Sequence, residues 1–297
     1  MNVAPRRRIG IDLGGTKIEG VVLDVDNRPL FRHRVSTESH AGYAHILDRI
    51  AGVAQACRAL APECAAIGIG TPGAISSRDG TMKNSNTTCL NGRRLQADLV
   101  DRIGMPVILE NDANCFALAE AVAGAGCDAA LVFGVILGTG VGGGIVYRGA
   151  VWRGPQHVAG EWGHHCIDPT GPPCYCGQRG CVETLIAGPA VEQEYRRVSG
   201  ASLAMAEIVS AFRAGDMAAT QVVTRFIDRF GRALANVIDI LDPEAVVLGG
   251  GLSNIEELYT LGRDAVAGYV FNDELCTPIR RNQLGDSAGV IGAALLV

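Results

Sequence analysis

The clearest pattern in the chain is an alternation of apolar and polar positions that runs into a glycine turn. Arg8 to Leu13 alternates in the manner of a β-strand, Gly14-Gly15-Thr16-Lys17 predicts a turn, and Ile18 to Asp24 predicts a returning strand. A Walker loop would need a helix after the turn, so this segment is not a P-loop. Successive backbone N–H groups of such a turn can still bind phosphate oxygens, and a plain hairpin is the alternative.

The same pattern occurs a second time. Leu131 to Leu137 predicts a buried strand, Gly138 to Gly144 a glycine turn, and Ile145 to Tyr147 a returning strand. A third glycine run, Gly249-Gly250-Gly251, follows the apolar strand Ala245 to Leu248. The repetition predicts two similar α/β domains, and the three glycine turns could line one nucleotide.

Helical spacing of apolar residues fills much of the remaining chain. Ala219 to Asp239 has apolar positions at the period of an amphipathic helix, and Ala113 to Ala123 predicts a helix directly after the strand Pro106 to Leu109. We expect a small N-terminal α/β domain over residues 1–109, to which a helix at 287–297 returns. Residues 110–286 are then a large α/β domain that carries the second glycine turn.

One imidazole and three thiols lie within eighteen residues of the predicted large domain. These are His164, Cys174, Cys176 and Cys181. Such a set suits tetrahedral Zn²⁺, and with no open ligand position the metal should be structural. A redox pair at Cys174 and Cys176 or chance clustering are the alternatives, and the adjacent His165 could replace His164. The other cysteines show no paired spacing and are expected to be reduced.

Composition excludes several classes of protein. The 297-residue chain has a formal net charge of −5 and no long basic run, which argues against a nucleic-acid surface. No apolar stretch is long enough to cross a membrane. The N-terminus has no apolar segment typical of a secretory signal, so we expect a cytoplasmic protein.

Taken together, the motifs resemble those of the repressor, open reading frame, kinase (ROK) family over nearly the whole chain. The matching segments are Ile11 to Lys17, Glu110 to Asn114, Leu137 to Gly142, Glu161 to His164 and Cys174 to Glu183. The resemblance implies the actin/hexokinase/Hsp70-like (ribonuclease H-like) fold, in which two α/β domains enclose a cleft. It also implies ATP-dependent phosphorylation of a hexose at the 6-hydroxyl and a homodimer.

The resemblance further assigns roles to individual residues. Asp112 is the expected catalytic base, since a carboxylate that accepts the hydroxyl proton assists phosphoryl transfer. A helix cap at Asp112 is the alternative. The residues expected to bind the sugar are Asn91, Asn111, Glu161, His164 and Glu183. Those expected to hold the nucleotide phosphates, with Mg²⁺ at Asp12, are Asp12, Gly14, Gly15, Thr16, Lys17, Gly138, Thr139, Gly140, Gly250 and Gly251.

Finer similarity favours the bacterial fructokinase and mannokinase members of the family. The segments around Asn91 and Trp162 carry this similarity, so D-fructose is the expected substrate. Kinases of N-acetylglucosamine, glucose or mannose share the same catalytic set and remain alternatives. A non-catalytic sugar-sensing regulator is the alternative class. Family repressors carry an additional helix-turn-helix before the first glycine turn, and here the first strand begins at Arg8, which favours the enzyme.

Overall fold

The computed structural model describes residues 6–297. Contacts between Cα atoms group the chain into two compact units. The first unit contains the chain up to Cys127, Gly144–Ala159 and Leu284–Val297, and the second contains Asp128–Gly143 and Gly160–Gln283. The predicted domain division after residue 109 stays a prediction.

A five-stranded mixed sheet forms the centre of the first unit, in the order β3-β2-β1-β4-β7. Strands β1 and β2 form the antiparallel hairpin predicted around Gly14, whereas β1, β4 and β7 are parallel. The strands up to Cys127 are β1 (Arg8–Leu13), β2 (Lys17–Leu23), β3 (Pro29–Ser36), β4 (Ile67–Thr71), the short pair β5 (Ala74–Ile75) and β6 (Met82–Lys83), and β7 (Val107–Asn111). Its helices are α1 (Tyr43–Arg58), α2 (Leu95–Ile103), α3 (Asp112–Ala123) and, at the end of the chain, α9 (Ala288–Ala294).

Helix α9 lies directly on the first sheet because glycines allow a close approach. A Cβ atom at Gly68 of β4 would lie 1.8 Å from the Ala293 carbonyl oxygen, and one at Gly10 of β1 would lie 2.4 Å from that of Val290. The C-terminal helix is therefore packed against β1 and β4, the two strands that carry Asp12 and its neighbour Gly70.

The second sheet repeats the strand order of the first, as β10-β9-β8-β11-β12. Its strands are β8 (Leu131–Leu137), β9 (Val141–Tyr147), β10 (Ala150–Val151), β11 (Ala245–Gly249) and β12 (Ile279–Arg281). Strand β11 pairs in parallel with both β8 and β12, while β9 pairs antiparallel with β10. The predicted repeat of strand, glycine turn and returning strand is therefore confirmed, although β9 begins earlier than Ile145.

Five helices complete the second unit among the described residues. They are α4 (Val182–Ile186), α5 (Gly188–Ser199), α6 (Met205–Arg213), α7 (Met217–Leu241) and α8 (Leu261–Ala267). The predicted amphipathic helix is α7, which buries Val222, Phe226 and Phe230 along one face. Within residues 6–297, no helix combines the length and apolar character that a membrane crossing requires.

Candidate functional site

Two carboxylates of the first unit lie at the carboxyl ends of parallel strands. Asp12 is the fifth residue of β1 and aligns with Gly70 of β4, while Asp112 follows β7 as the first residue of α3. Burial, followed by the negative charge of Asp112, raises the pKa of Asp12 to about 7, and Lys17 opposes this shift. Because two nearby carboxylates repel one another, this arrangement favours a bound cation. Asp12 could therefore hold Mg²⁺, which prefers oxygen ligands.

The N-terminus of α3 shows which residue caps the helix. The Asn111 Oδ1 atom accepts hydrogen bonds from the backbone N–H groups of Ala113 at 2.9 Å and Asn114 at 3.4 Å. Asn111 is therefore the N-cap, and Asp112 occupies the first helical position, where its Oδ1 accepts from Ala113 N at 2.8 Å. The cap alternative for Asp112 is wrong, because its neighbour makes that interaction.

A buried carboxylate that the sequence analysis left without a role supports this turn. Glu110 is 8% exposed, and its Oε1 accepts from the Asn111 backbone N–H and from Asn114 Nδ2, both at 2.9 Å. Its Oε2 pairs with the Arg153 guanidinium. Glu110 lies inside a recognised motif, whereas nothing in the sequence pointed to Arg153. This network fixes the segment that carries Asn111 and Asp112.

The first glycine turn is braced by Thr37. The Gly14 N–H donates to the Lys17 carbonyl at 2.9 Å, and the Thr37 hydroxyl donates to the Gly14 carbonyl at 2.7 Å. The Lys17 Nζ atom lies 4.0 Å from Glu19, a buried carboxylate that aligns with Asp12 across the hairpin. The turn therefore holds an ammonium group beside the carboxylate of β1.

Asn91 has internal hydrogen bonds on both sides of its amide. Its Oδ1 accepts from the Ser85 N–H and its Nδ2 donates to the Ser85 carbonyl, both at 2.9 Å. The side chain thereby closes the loop that follows β6. A direct sugar contact by Asn91 stays a prediction.

In the second unit, the second and third glycine turns lie side by side. Gly250 has φ +80°, and a Cβ atom there would lie 2.3 Å from the Leu137 carbonyl oxygen, so only glycine fits. The Gly138 turn is also fixed by the N–H of Gly188, which donates to the Gly138 carbonyl at 2.9 Å. Thr139 is exposed at the tip of this turn. The backbone amides of both turns belong to one part of the second unit.

The four predicted metal ligands meet in the second unit. His164, Cys174, Cys176 and Cys181, the His/Cys cluster, offer ligand atoms that lie within 4.8 Å of one another. His164 Nδ1 is 3.5 Å from Cys174 Sγ, and Cys176 Sγ is 3.6 Å from Cys181 Sγ. Two sulfurs bound tetrahedrally at about 2.3 Å would be about 3.8 Å apart, so the spacing fits a metal such as zinc. His165 instead approaches Asn236 at 3.2 Å.

The thiols of this cluster differ in their acidity. Burial raises the pKa of Cys181 to about 12, whereas a hydrogen bond from the Gln178 backbone lowers the pKa of Cys176. Three thiolates at this spacing would repel one another unless a cation lies between them. The chemistry of the ligand set therefore also fits a bound metal ion.

The segment around this cluster is tied to the second glycine turn. Glu183 Oε2 accepts from the Val141 N–H at 2.9 Å, and Trp162 Nε1 donates to the Gly142 carbonyl at 2.8 Å. Trp162 is 6% exposed and packs edge-on against Phe133. Glu161, which precedes Trp162, also has an interaction partner. The cluster and the Gly138 turn are thus one connected substructure.

The sequence and fold match known proteins along almost their whole length. The sequence model of the ROK family matches residues 8–297. The chain belongs to the ROK family. An N-acetyl-D-glucosamine kinase of Vibrio atlanticus is 39% identical over 298 residues, which cover 97% of this chain and 98% of the relative.

Two solved ROK structures share the fold of this chain. A ROK hexokinase from Thermus thermophilus superposes with a TM-score of 0.88 at 36% identity, covering 97% of each chain. A ROK glucokinase from Streptomyces griseus, solved with glucose and AMPPNP, gives a TM-score of 0.78 at 30% identity and covers 98% of this chain and 99% of that one. The predicted actin/hexokinase-like α/β fold is confirmed.

Proposed function

We propose that this ROK protein transfers the γ-phosphoryl group of ATP to the 6-hydroxyl of a hexose. The observation that supports this most directly is the pair Asp12 and Asp112, two acids at the carboxyl ends of β1 and β7, parallel strands that both pair with β4. Ligands of open α/β sheets commonly bind at this edge. Relatives named as hexokinase, glucokinase and N-acetyl-D-glucosamine kinase, all at least 30% identical, support the same activity.

Asp112 acts as the general base in this proposal. A sugar hydroxyl is a weak nucleophile at neutral pH, and a carboxylate within hydrogen-bond reach can accept its proton as the phosphoryl group arrives. Asn111 takes over the cap of α3, so the helix does not require the Asp112 carboxylate as its cap. The Glu110–Arg153 pair restrains the turn that carries the base.

The backbone amides of the glycine turns bind the phosphates. In the first unit these are the amides of Gly14 to Thr16, with Lys17 as the positive charge. The second unit, taken by itself, offers the amides of Gly138 to Gly140 in the same kind of turn. Asp12 would hold Mg²⁺, which supplies neutralisation of the phosphate charge when it is bound. The repulsion between Asp12 and Asp112 favours that ion.

The His/Cys cluster holds structural zinc, and the neighbouring acids bind the sugar. Glu161 and Glu183 can each accept two hydrogen bonds from a vicinal diol, and His164 Nε2 can donate to a third hydroxyl. His164 would hold the metal through Nδ1, and that bond would fix the orientation of its ring. A direct sugar contact by Asn111, whose amide nitrogen donates to the Gly73 carbonyl at 3.0 Å, stays a prediction.

We propose N-acetyl-D-glucosamine as the preferred sugar, in place of the fructose expected from the sequence. The relative from Vibrio atlanticus carries that name and matches the whole chain. The fructose expectation depended on the segments around Asn91 and Trp162. Trp162 is buried against Phe133, and the Asn91 amide is bonded to Ser85, so neither side chain is readily available to select a sugar.

An initial-rate panel tests the proposal. The purified protein is incubated with MgATP and either N-acetylglucosamine, glucose, mannose or fructose, and ADP release is followed with a coupled assay. We expect turnover with at least one hexose and the highest kcat/KM for N-acetylglucosamine. A tenfold preference for fructose would restore the original expectation. Calorimetric sugar binding without any turnover would favour the sugar-sensing regulator instead.

A further inference from the structure

A tyrosine side chain contacts the imidazole of the His/Cys cluster. Tyr175 stands between Cys174 and Cys176 in the chain, and its hydroxyl is 2.9 Å from His164 Nε2. The two rings meet edge to face, with centroids 5.0 Å apart and an interplanar angle of 86°. The hydroxyl therefore occupies the hydrogen-bonding position at Nε2.

Only one proton is available at this nitrogen. His164 Nδ1 faces Cys174 Sγ at 3.5 Å, so a metal in the cluster would take the Nδ1 lone pair and leave the proton on Nε2. The Tyr175 oxygen then accepts that proton in a hydrogen bond. A sugar hydroxyl that accepts from Nε2 needs the same N–H, and the two acceptors cannot both use it with good geometry.

We propose that Tyr175 sets the sugar affinity by competing with the substrate for His164 Nε2. This inference rests on the proposed function, in which His164 donates to a sugar hydroxyl. In the sugar-free protein the Tyr175 hydroxyl accepts the hydrogen bond from His164 Nε2. When the sugar binds, a sugar hydroxyl takes this position and the Tyr175 side chain moves away. Tyr175 is thus a residue that controls KM without taking part in phosphoryl transfer.

The surroundings of Tyr175 allow such a displacement. The residue is 77% exposed, and its ring contact with His164 is the one aromatic pairing it makes among the described residues. Gly177, two positions later, has φ +92° and no atoms near the position of a Cβ, so the loop is uncrowded there.

The test is Tyr175→Phe, which keeps the ring and removes the competing oxygen. A net hydrogen bond is worth about a two- to tenfold change in an equilibrium constant, so KM for the sugar should fall by that factor. We expect kcat to stay within about twofold and the metal content to be unchanged. Calorimetry should give the same gain in sugar affinity without ATP. Tyr269→Phe is the matched control, because it removes an exposed hydroxyl that is bonded to Asp228 at 2.6 Å, and it should change none of these values.

Each other result overturns the inference. A higher KM would mean that Tyr175 binds the sugar directly, and an unchanged KM would mean that the hydroxyl does not compete. Loss of metal from the variant would mean that Tyr175 serves only to orient His164. If the unmodified protein phosphorylates no hexose, the proposed function fails, and this inference fails with it. Turnover by the unmodified protein with an unaltered KM in the variant refutes the competition alone.

Discussion

Replacing Asp112 with asparagine separates its proposed chemistry from its position in the fold. Asn111 makes the capping hydrogen bonds of α3, and an amide oxygen at position 112 could still accept from Ala113. The lost negative charge at the first turn costs about 0.3–1 kcal/mol. Relief of the repulsion with Asp12 opposes that loss. The free energy of unfolding should therefore change by less than about 1 kcal/mol.

The rate should respond very differently from the stability. Removing a general base lowers kcat by about 10²- to 10⁴-fold, whereas the sugar retains its other polar contacts. The measurements are kcat, sugar affinity by calorimetry and melting temperature on the same preparation. Asp216→Asn is the control, because Asp216 is the N-cap of α7 and its substitution should leave kcat unchanged. A kcat for Asp112→Asn within about threefold of the unmodified protein would refute the role of Asp112 as base.

Two further predictions concern the metal loop and the packing of α9. Cys176→Ser should lower the zinc content and weaken sugar binding together, because formation of a metal site contributes to local folding. Elemental analysis measures the zinc and calorimetry measures the sugar affinity. Full sugar affinity at less than half an equivalent of zinc would contradict the prediction. Gly68→Ala should destabilise the protein by about 1–3 kcal/mol, because the new methyl group meets the Ala293 carbonyl. Gly52→Ala has open space within α1 and should instead stabilise by about 0.5–1 kcal/mol, so equal denaturation midpoints for the two variants would be inconsistent with the packing described here.

Sequence reasoning identified the features that depend on local spacing. The hairpin at Gly14 and its repeat at Gly138 were predicted from short strands followed by glycine turns, and the structure confirms both. The convergence of the His/Cys cluster was predictable for the same reason, since its ligands lie close together in the chain. Spacing could not choose between His164 and His165, because that choice depends on where each ring points after folding.

The features that sequence reasoning missed depend on distant partners. Arg153 forms an ion pair with Glu110, which is more than forty residues away in the sequence, and no local sequence pattern predicts such a contact. The cap alternative for Asp112 was wrong because Asn111 and Asp112 are both good N-caps, and only the backbone decides where the helix starts. The fructose expectation depended on the similarity of the segments around Asn91 and Trp162. The named relatives do not support it, and the Trp162 indole donates to a backbone carbonyl within its own unit.

The contacts within the second unit predict that metal loss affects nucleotide binding as well as sugar binding. Glu183 lies two residues after Cys181, and its carboxylate accepts a hydrogen bond from the Val141 N–H. Trp162 lies two residues before His164, and its indole N–H donates to the Gly142 carbonyl. Both ends of the metal loop are therefore bonded to the strand that follows the Gly138 turn. Loss of the ion should weaken these hydrogen bonds. The Gly138 turn, which is proposed to bind phosphate, should then become less ordered. Cys176→Ser should accordingly raise KM for ATP as well as for the sugar, whereas Tyr175→Phe, which leaves the metal in place, should alter the sugar KM alone.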